Sequence, residues 1–270
     1  MVTSVTSQFN GKVVVVTGAG QGLGRAYAEH LAELGASVVV AEVLAERGAD
    51  AAAAIAKDGG TALAVQTDVT EPGSVDAMIA ATLREFGRLD GLVNNAAIYD
   101  GLRPVPAAGL TRERWSRVMD VNVWGTLLCA RAAHAVMASR GGGRIVNVSS
   151  TSALLGVPMM ADYVASKGAV VALTRSLARE WGADEVTVNA VAPGGTWTEA
   201  AQHLFGSGDG PGEGTAPDPE QARAAAIAQQ AIKRQEYPRD VVGTIAFLLS
   251  DAAAMITGQL IVVDGGMALH

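Results

Sequence analysis

Short apolar runs recur along the chain, and each is followed by a stretch in which apolar residues recur with helical spacing. The runs are rich in Val, Ile and Leu, and they lie at Lys12–Thr17, Ser37–Glu42, Ala62–Thr67, Leu89–Asn94, Arg144–Ser149, Val186–Val191 and Leu260–Asp264. Near-continuous runs of this kind are typical of strands that are buried on both faces of a parallel sheet. Their alternation with helices predicts a doubly wound α/β domain.

Two helices are marked most clearly by this pattern. In Pro72–Phe86 the apolar residues recur every three or four positions, which places them on one helix face. Thr70 is the expected N-cap, and Pro72 suits the first turn. A similar stripe begins at Leu23, and Gly35 is expected to end that helix.

One segment breaks the alternation of strands and helices. Gly206–Pro219 is rich in Gly, Pro and Asp, and it precedes a helix expected near Glu220–Lys233. A long irregular loop inside a compact domain is usually functional or disordered. The sequence contains no repeat and no sign of a second domain, so residues 1–270 are predicted to form a single domain.

Composition excludes several classes of protein. Hydrophobic residues make up 49% and charged residues 17% of the chain, which argues against disorder. The 27 acidic and 20 basic residues give a net charge of −7, which disfavours a nucleic-acid partner. No run approaches the roughly 18 apolar residues of a membrane span, and the first ten residues do not resemble a secretory signal. A cytoplasmic location is expected by default.

Metal and disulfide chemistry find no support in the sequence. The single cysteine, Cys129, lies in an apolar stretch and is expected to be a core residue. No CxxC or HExxH pattern occurs, so no metal site is predicted.

A glycine-rich stretch at the first strand–helix junction predicts a dinucleotide site. It runs from Thr17 as TGAGQGLG, directly after the first strand. Glycines let the backbone approach a pyrophosphate, and the free N–H groups of a helix N-terminus favour an anion. The context predicts a Rossmann-type doubly wound fold, with a seven-stranded parallel sheet flanked by helices on both faces.

The end of the second strand bears on the choice of cofactor. Glu42 lies 18 residues after Gly24 and could accept both ribose hydroxyls of an adenosine while repelling a 2′-phosphate. Gln21 supplies no positive charge for such a phosphate. NAD is therefore favoured over NADP. Glu42 could instead be a solvated strand end, and Arg47 could soften the repulsion.

Tyr163 and Lys167 are four residues apart, which places them one turn apart on one helix face. A neighbouring ammonium favours a phenolate and would lower the pKa of Tyr163 from its usual value near ~10. Ser150 lies at the carboxyl end of a strand, where ligands bind in such sheets. Ser149 should face the other side of that strand. Taken alone, a Tyr-x-x-x-Lys pair more often marks a surface contact.

Several separated motifs together resemble the short-chain dehydrogenase/reductase family from Lys12 to Gly266. They are TGAGQGLG from Thr17, DVT from Asp68, NNAA from Asn94, VNVWG from Val121, Ser150 with Tyr163 and Lys167, Pro193-Gly194 with Thr198, and the terminal TGQ and VDGG sequences. One departure is Ala97, where the family usually has Gly.

The resemblance implies a role for each catalytic residue. Tyr163 would be the acid/base and Ser150 would hold the substrate oxygen. Lys167 would bind the nicotinamide ribose and lower the pKa of Tyr163. Asn122 would position Lys167 through a water, unless it is only a helix-bend residue. The resemblance also implies contacts with NAD by Gly18, Gln21, Gly22, Leu23, Gly24, Glu42, Asp68, Val69, Asn95, Ala96, Tyr163, Lys167, Pro193, Gly194, Thr196 and Thr198.

The resemblance places the substrate beneath a lid at about residues 197–233. The expected substrate contacts are Tyr99, Ser150, Ser152, Met160, Tyr163 and Trp197, although such Met and aromatic residues often serve only for packing. No group of Arg or Lys residues converges there to bind a carboxylate or phosphate, and Arg103 is the nearest candidate. This favours a neutral, apolar or aromatic secondary alcohol and its ketone. The family is usually tetrameric, so a homotetramer is expected.

Two other functions stay open from the sequence. An NADPH-dependent 3-oxoacyl-thioester reductase would share the fold, but Glu42 and Gln21 argue against it. A non-catalytic NAD-binding sensor or scaffold would have no need of Ser150, Tyr163 and Lys167 together.

Overall fold

The computed structural model describes residues 8–99, 101–199 and 219–269, and its centre is a seven-stranded parallel sheet. The strand order is β3-β2-β1-β4-β5-β6-β7, which is a Rossmann-type arrangement and confirms the predicted fold. The strands are β1 (Val13–Thr17), β2 (Ser37–Glu42), β3 (Thr61–Gln66), β4 (Gly91–Asn94), β5 (Gly143–Val148), β6 (Val186–Pro193) and β7 (Leu260–Val263).

Helices cover both faces of the sheet. They are α1 (Gly22–Glu33), α2 (Ala45–Lys57), α3 (Pro72–Phe86), α4 (Arg112–Met119), α5 (Thr126–Ala138), α6 (Ser152–Leu155), α7 (Ala161–Trp181), α8 (Pro219–Gln229) and α9 (Pro238–Leu249). A π-helical turn, Asp120–Gly125, joins α4 to α5.

Alternate residues of each strand supply two separate cores. Val14 and Val16 of β1 pack with α1 and α9 on one face. Val15 packs with α3, α5 and α7 on the other face. Cys129 of α5 is fully buried in this second core, and burial raises its pKa to about 12. This agrees with the expected core role of Cys129.

Some predicted boundaries are wrong, and hydrogen bonds outside the helices explain two of them. Thr70 does not cap α3, because its hydroxyl and N–H both bond to the Asp68 carboxylate; Glu71 is the N-cap instead. Helix α8 begins at Pro219 and ends at Gln229, short of Lys233. The chain leaves the helix there, and the Ile232 N–H donates to the Gly265 carbonyl at 2.8 Å. Residues 200–218, which hold most of the predicted irregular segment, lie outside the described residues.

The parallel sheet brings six strand ends together at one edge. The loops after β1, β2, β3, β4, β5 and β6 meet there, and α7 packs beside β6. Within the described ranges, no helix is both long and apolar enough to cross a membrane.

Candidate active site

A cavity of about 1080 Å³ opens at the carboxyl ends of the strands. Every predicted cofactor contact except Lys167 lines it, namely Gly18, Gln21, Gly22, Leu23, Gly24, Glu42, Asp68, Val69, Asn95, Ala96, Tyr163, Pro193, Gly194, Thr196 and Thr198. One continuous surface therefore carries residues that are up to 180 positions apart in the sequence, from 18 to 198.

The loop between β1 and α1 is packed too tightly for side chains. A Cβ at Gly24 would lie 2.2 Å from the Gly18 carbonyl oxygen and 2.4 Å from Asn95 Nδ2. The Asn95 amide donates to the carbonyls of Thr17 and Gly18, at 3.0 Å each, and so ties this loop to the end of β4.

The start of α1 is suited to an anion. Its N-cap residue, Gln21, makes no side-chain capping bond. The first-turn N–H groups have no acceptor within the helix, and Gly22, Leu23 and Gly24 line the cavity. Free donors at the positive end of a helix fit the pyrophosphate of a dinucleotide.

Glu42 is not a solvated strand end. It is 7% exposed, its Oε2 accepts from the Gly20 N–H at 3.0 Å, and its Oε1 accepts from the Leu44 N–H at 3.2 Å. A carboxylate has about four lone-pair sites, so acceptor capacity is left for a ribose. Arg47 also lines the cavity and donates to the Gln21 side chain.

Tyr163 lies at the cavity with its hydroxyl hydrogen-bonded to Ser150. The Tyr99 ring packs beside it, with the ring centroids 5.3 Å apart. Burial raises the pKa of Tyr163 well above its usual value, the Tyr99 phenol raises it further, and the Ser150 hydrogen bond lowers it. The phenol therefore keeps its proton at neutral pH in the ligand-free chain, contrary to the expected lowering by Lys167.

Lys167 lies beside the Tyr163 ring and is itself buried. Its ammonium donates to the Val148 carbonyl at 2.8 Å and lies 5.6 Å from the centroid of the Tyr163 ring. Burial lowers the pKa of Lys167 to about 8. Lys167 is 3% exposed and is absent from the cavity lining, so its role toward a ribose stays a prediction.

Asn122 lies in the π-helical turn, where its side chain joins two segments of the site. Its Oδ1 accepts from the Ile98 N–H at 2.8 Å, and its Nδ2 donates to Ser166 Oγ at 3.0 Å. It thus holds the loop after β4 against α7, one residue before Lys167. The predicted water-mediated link from Asn122 to Lys167 stays a prediction.

The predicted substrate contacts fall into two groups. Tyr99, Ser150, Tyr163 and Trp197 line the cavity. Met160 instead packs in a small apolar cluster behind it, with Leu102, Val118 and Tyr163. Ser152 is also absent from the lining; it is buried in α6, and its hydroxyl has no hydrogen-bond partner. Ser149 reaches the cavity, but its hydroxyl donates away from it, to the Lys167 carbonyl at 2.9 Å.

One part of the cavity surface was not predicted. Helix α4 and the π-helical turn contribute Glu113, Ser116, Arg117, Asp120 and Trp124. These residues follow a helical spacing of three, four, seven and eleven from Glu113, so a polar stripe in the sequence could have shown them.

Comparisons with known proteins now identify the family. A family profile described as enoyl-(acyl carrier protein) reductase matches residues 18–268. A 3-oxoacyl-[acyl-carrier-protein] reductase of Synechocystis is 39% identical over 270 residues, covering 99% of each chain. The chain belongs to the short-chain dehydrogenase/reductase family.

Two further members of the family are named as a dehydrogenase and a reductase. The cis-4-hydroxycyclohexanecarboxylate dehydrogenase of Sinomonas cyclohexanicum is 40% identical over 258 residues, covering 96% of this chain and 97% of its own. The solved structure of levodione reductase superposes with a TM-score of 0.89 at 32% identity, covering 96% of this chain and 98% of its own. This short-chain dehydrogenase/reductase is therefore an oxidoreductase of a family that uses NAD or NADP.

Proposed function

We propose that this chain is an NAD-dependent oxidoreductase that transfers a hydride between nicotinamide and a neutral secondary alcohol or its ketone. The observation that carries the proposal is the meeting of the Tyr163 and Ser150 hydroxyls at one wall of the dinucleotide-sized cavity. A bound nicotinamide would supply the site that accepts or gives the hydride.

The side chains of the site can hold the substrate oxygen and move its proton. Ser150 hydrogen-bonds the oxygen, and Tyr163 Oη gives a proton to it during ketone reduction. The raised pKa of Tyr163 suits this acid role, because the phenol is protonated near neutral pH. During alcohol oxidation, Tyr163 Oη must instead take a proton from the substrate, so the phenolate is the form required. Positive charge nearby would favour the phenolate.

The cofactor preference rests on Glu42. Its buried carboxylate is fixed by two backbone N–H groups at the end of β2, facing the cavity. A fixed negative charge accepts ribose hydroxyls and repels a phosphate at the same place. Arg47 reduces that repulsion but is engaged with Gln21.

The substrate class rests on the apolar surroundings of Tyr163. Ile98 and Tyr99 line the cavity beside Tyr163, and neither of them carries a charge. Such a surface fits an apolar or aromatic ring better than an anionic group. The relative named for a hydroxycyclohexane compound supports a ring-bearing alcohol. A lid at about residues 197–233, a homotetramer and a cytoplasmic location stay predictions.

One alternative has an observation in its favour. The Synechocystis relative is named a 3-oxoacyl-[acyl-carrier-protein] reductase, and the matching profile bears a related description. An NADPH-dependent thioester reductase would, however, have to accept the Glu42 carboxylate beside its 2′-phosphate. The third hypothesis, a non-catalytic NAD-binding sensor, has only the cavity to support it.

A cofactor and substrate screen tests these functions against one another. The purified chain is offered cyclic and aryl secondary alcohols with NAD or NADP, and the absorbance of the reduced cofactor is followed. We expect turnover with NAD. Reduction of a 3-oxoacyl thioester with NADPH, without alcohol oxidation, would support the alternative. Tight NAD binding without turnover of any alcohol or ketone would support the sensor.

A further inference from the structure

A buried carboxyl group lies directly behind the cavity wall that follows β6. Glu236 is 5% exposed, and its Oε1 accepts from the Thr196 hydroxyl at 2.5 Å. Thr196 is 7% exposed and belongs to the cavity lining. The catalytic scheme above does not use Glu236, so its burial next to the cofactor cavity needs another explanation.

The other carboxyl oxygen of Glu236 is enclosed without a partner. Oε2 lies so close to Gly194 that a Cβ there would be 2.7 Å from it. The Gly194 N–H donates to the Val263 carbonyl at 2.9 Å, and Oε2 makes no hydrogen bond of normal geometry. The hydroxyl of Tyr27, on α1, is likewise buried without a partner; burial raises the pKa of Tyr27, and the nearby Glu236 raises it further.

The charges facing Glu236 favour its neutral form. Asp264 accepts three backbone N–H groups, from Gly266, Met267 and Ala268, and its side chain faces Glu236. Burial raises the pKa of Glu236 to about 7; Asp264 and Asp240 raise it further, whereas hydrogen bonding from Thr196 and the nearby Gly194 N–H lowers it.

One cation faces Glu236 from the same segment. Arg234 interacts electrostatically with it, but its guanidinium is bound bidentately to Asp240, at 2.7 and 2.8 Å. Glu236 thus has no ion-pair partner of its own within the described ranges. When the carboxyl group is neutral, its carbonyl oxygen still accepts from the Thr196 hydroxyl. Its O–H group is then a donor on the side of the molecule where the Tyr27 hydroxyl has no partner.

The same segment also holds the wall through its backbone. The Trp197 N–H donates to the Glu236 carbonyl at 2.8 Å, and Gln235 Nε2 donates to the Gly195 carbonyl at 2.8 Å. The Glu236 side chain therefore adds one bond to a wall that is anchored at three successive residues.

We propose that Glu236 is a positioning residue whose carboxyl group fixes Thr196 and, through it, the Pro193–Thr198 wall of the cofactor cavity. The inference rests on the proposed function, because it assumes that this cavity receives a nicotinamide dinucleotide. Its action is on the shape of the wall rather than on the reacting atoms. Since the Thr196 hydroxyl needs only an acceptor, the oxygen of an isosteric amide can replace the carboxyl oxygen.

Three variants test the inference with two measurements. Glu236→Ala removes the acceptor, Glu236→Gln keeps an acceptor and the shape, and Glu33→Gln removes one charge from an exposed site on α1. Amide hydrogen exchange of residues 193–198 is measured in the ligand-free proteins. The dissociation constant for NAD is measured calorimetrically at about pH 6 and about pH 9, on either side of a neutral titration.

We expect Glu236→Ala to speed exchange at Trp197 and to weaken NAD binding, each by about tenfold, as for one lost buried hydrogen bond. Glu236→Gln should stay near the wild type at the lower pH and lose the pH dependence of NAD binding that the wild type shows. Glu33→Gln should match the wild type in both measurements.

Two results would overturn the inference. One is exchange and affinity in Glu236→Ala equal to those of Glu33→Gln. The other is damage by Glu236→Gln as large as that by alanine, since the amide retains the acceptor for Thr196. If the wild type binds no nicotinamide dinucleotide, the proposed function fails, whereas the exchange measurement still tests the link between Glu236 and Thr196.

Discussion

Two walls of the cavity are built in different ways. The loop wall, Gly18–Gly24 with Glu42, is held by backbone packing and by carboxylate contacts to backbone N–H groups. The catalytic wall, Tyr99 with Ser150 and Tyr163, is held by side chains from distant elements. The difference shows where this molecule can tolerate change: the loop wall is set by local shape, and the catalytic wall by a few long-range bonds.

Arg114 and Asp162 form the main long-range bond of the catalytic wall. Arg114 Nε donates to Asp162 Oδ2 at 2.7 Å, and its Nη1 donates to the Arg103 carbonyl at 2.7 Å. The Asp162 side chain is 1% exposed and directly precedes Tyr163. The contact joins α4, the loop after β4 and the first turn of α7.

The largest effect should come from the catalytic wall itself. Tyr163→Phe removes the proton donor but keeps the ring, so we expect kcat to fall about 1000-fold or more. NAD affinity should stay within about twofold, because the loop wall is intact. Steady-state kinetics and calorimetry measure the two effects. The matched variant Tyr99→Phe, which removes the neighbouring hydroxyl, should retain most of the turnover. Near-normal turnover in Tyr163→Phe would overturn the assignment of the acid.

The two walls also differ in how well the sequence foretold them. The strands were predicted because buried parallel strands are continuous apolar runs, and the glycine loop was predicted because its function depends on local backbone shape. Strand limits were off by up to two residues, as at β4, which begins at Gly91 rather than Leu89. Ladder hydrogen bonds set those limits, and they depend on the neighbouring strand.

The positions of two predicted site residues depend on tertiary contacts. Lys167 is predicted to act on Tyr163, and in the ligand-free chain its ammonium donates to the Val148 carbonyl. Met160 was expected to face the substrate, but it packs behind Tyr163. Spacing in the sequence gives the helix face of a residue and not the partner that face meets.

Breaking the ion pair between Arg114 and Asp162 should impair the catalytic wall and leave the loop wall intact. Arg114→Leu leaves the buried Asp162 carboxylate without its cation, and we expect a loss of about 2–3 kcal/mol in the free energy of unfolding. This loss is at or below the range usual for breaking a fully buried ion pair, because the Arg114 side chain is 24% exposed. Urea denaturation measures this loss. Turnover should fall while NAD affinity holds.

An exposed ion pair provides the control for Arg114. Arg25 and Glu29 are one turn apart on α1, and both side chains are about two-fifths exposed. Arg25→Leu should cost about 0.5 kcal/mol or less. Equal losses in the two variants would show that the Arg114 contact does not secure the catalytic wall.

A change in the loop wall should lower NAD affinity and leave turnover largely unchanged, which is the reverse of the effect expected for Arg114→Leu. Gly24→Ala places a methyl group against the Gly18 carbonyl and the Asn95 amide, at 2.2 and 2.4 Å before relaxation. Overpacking of this kind costs about 1–3 kcal/mol, so we expect NAD affinity to fall roughly thirtyfold, with kcat at saturating NAD largely kept. Calorimetric titration with NAD and saturation kinetics measure this.

A glycine with free space around it serves as the matched control. Gly73 in α3 has nothing within 4 Å of an added Cβ. Gly73→Ala should leave NAD affinity unchanged and stabilise the fold by about 0.5–1 kcal/mol, since alanine favours a helix. A Gly24→Ala protein that bound NAD as tightly as Gly73→Ala would show that the loop wall is not set by shape.

The smallest effect tests whether charge adds to shape in the loop wall. Glu42→Gln removes the negative charge but keeps one oxygen for the Gly20 or Leu44 N–H, whereas Glu42→Ala loses both contacts. We expect the preference for NAD over NADP to fall about tenfold in both variants, because both lose the repulsion of a 2′-phosphate. NAD affinity should fall further in Glu42→Ala, since its loop also loses support. Paired calorimetric titrations with NAD and NADP measure the ratio. An unchanged ratio in both variants would mean that Glu42 shapes the loop without reading the ribose.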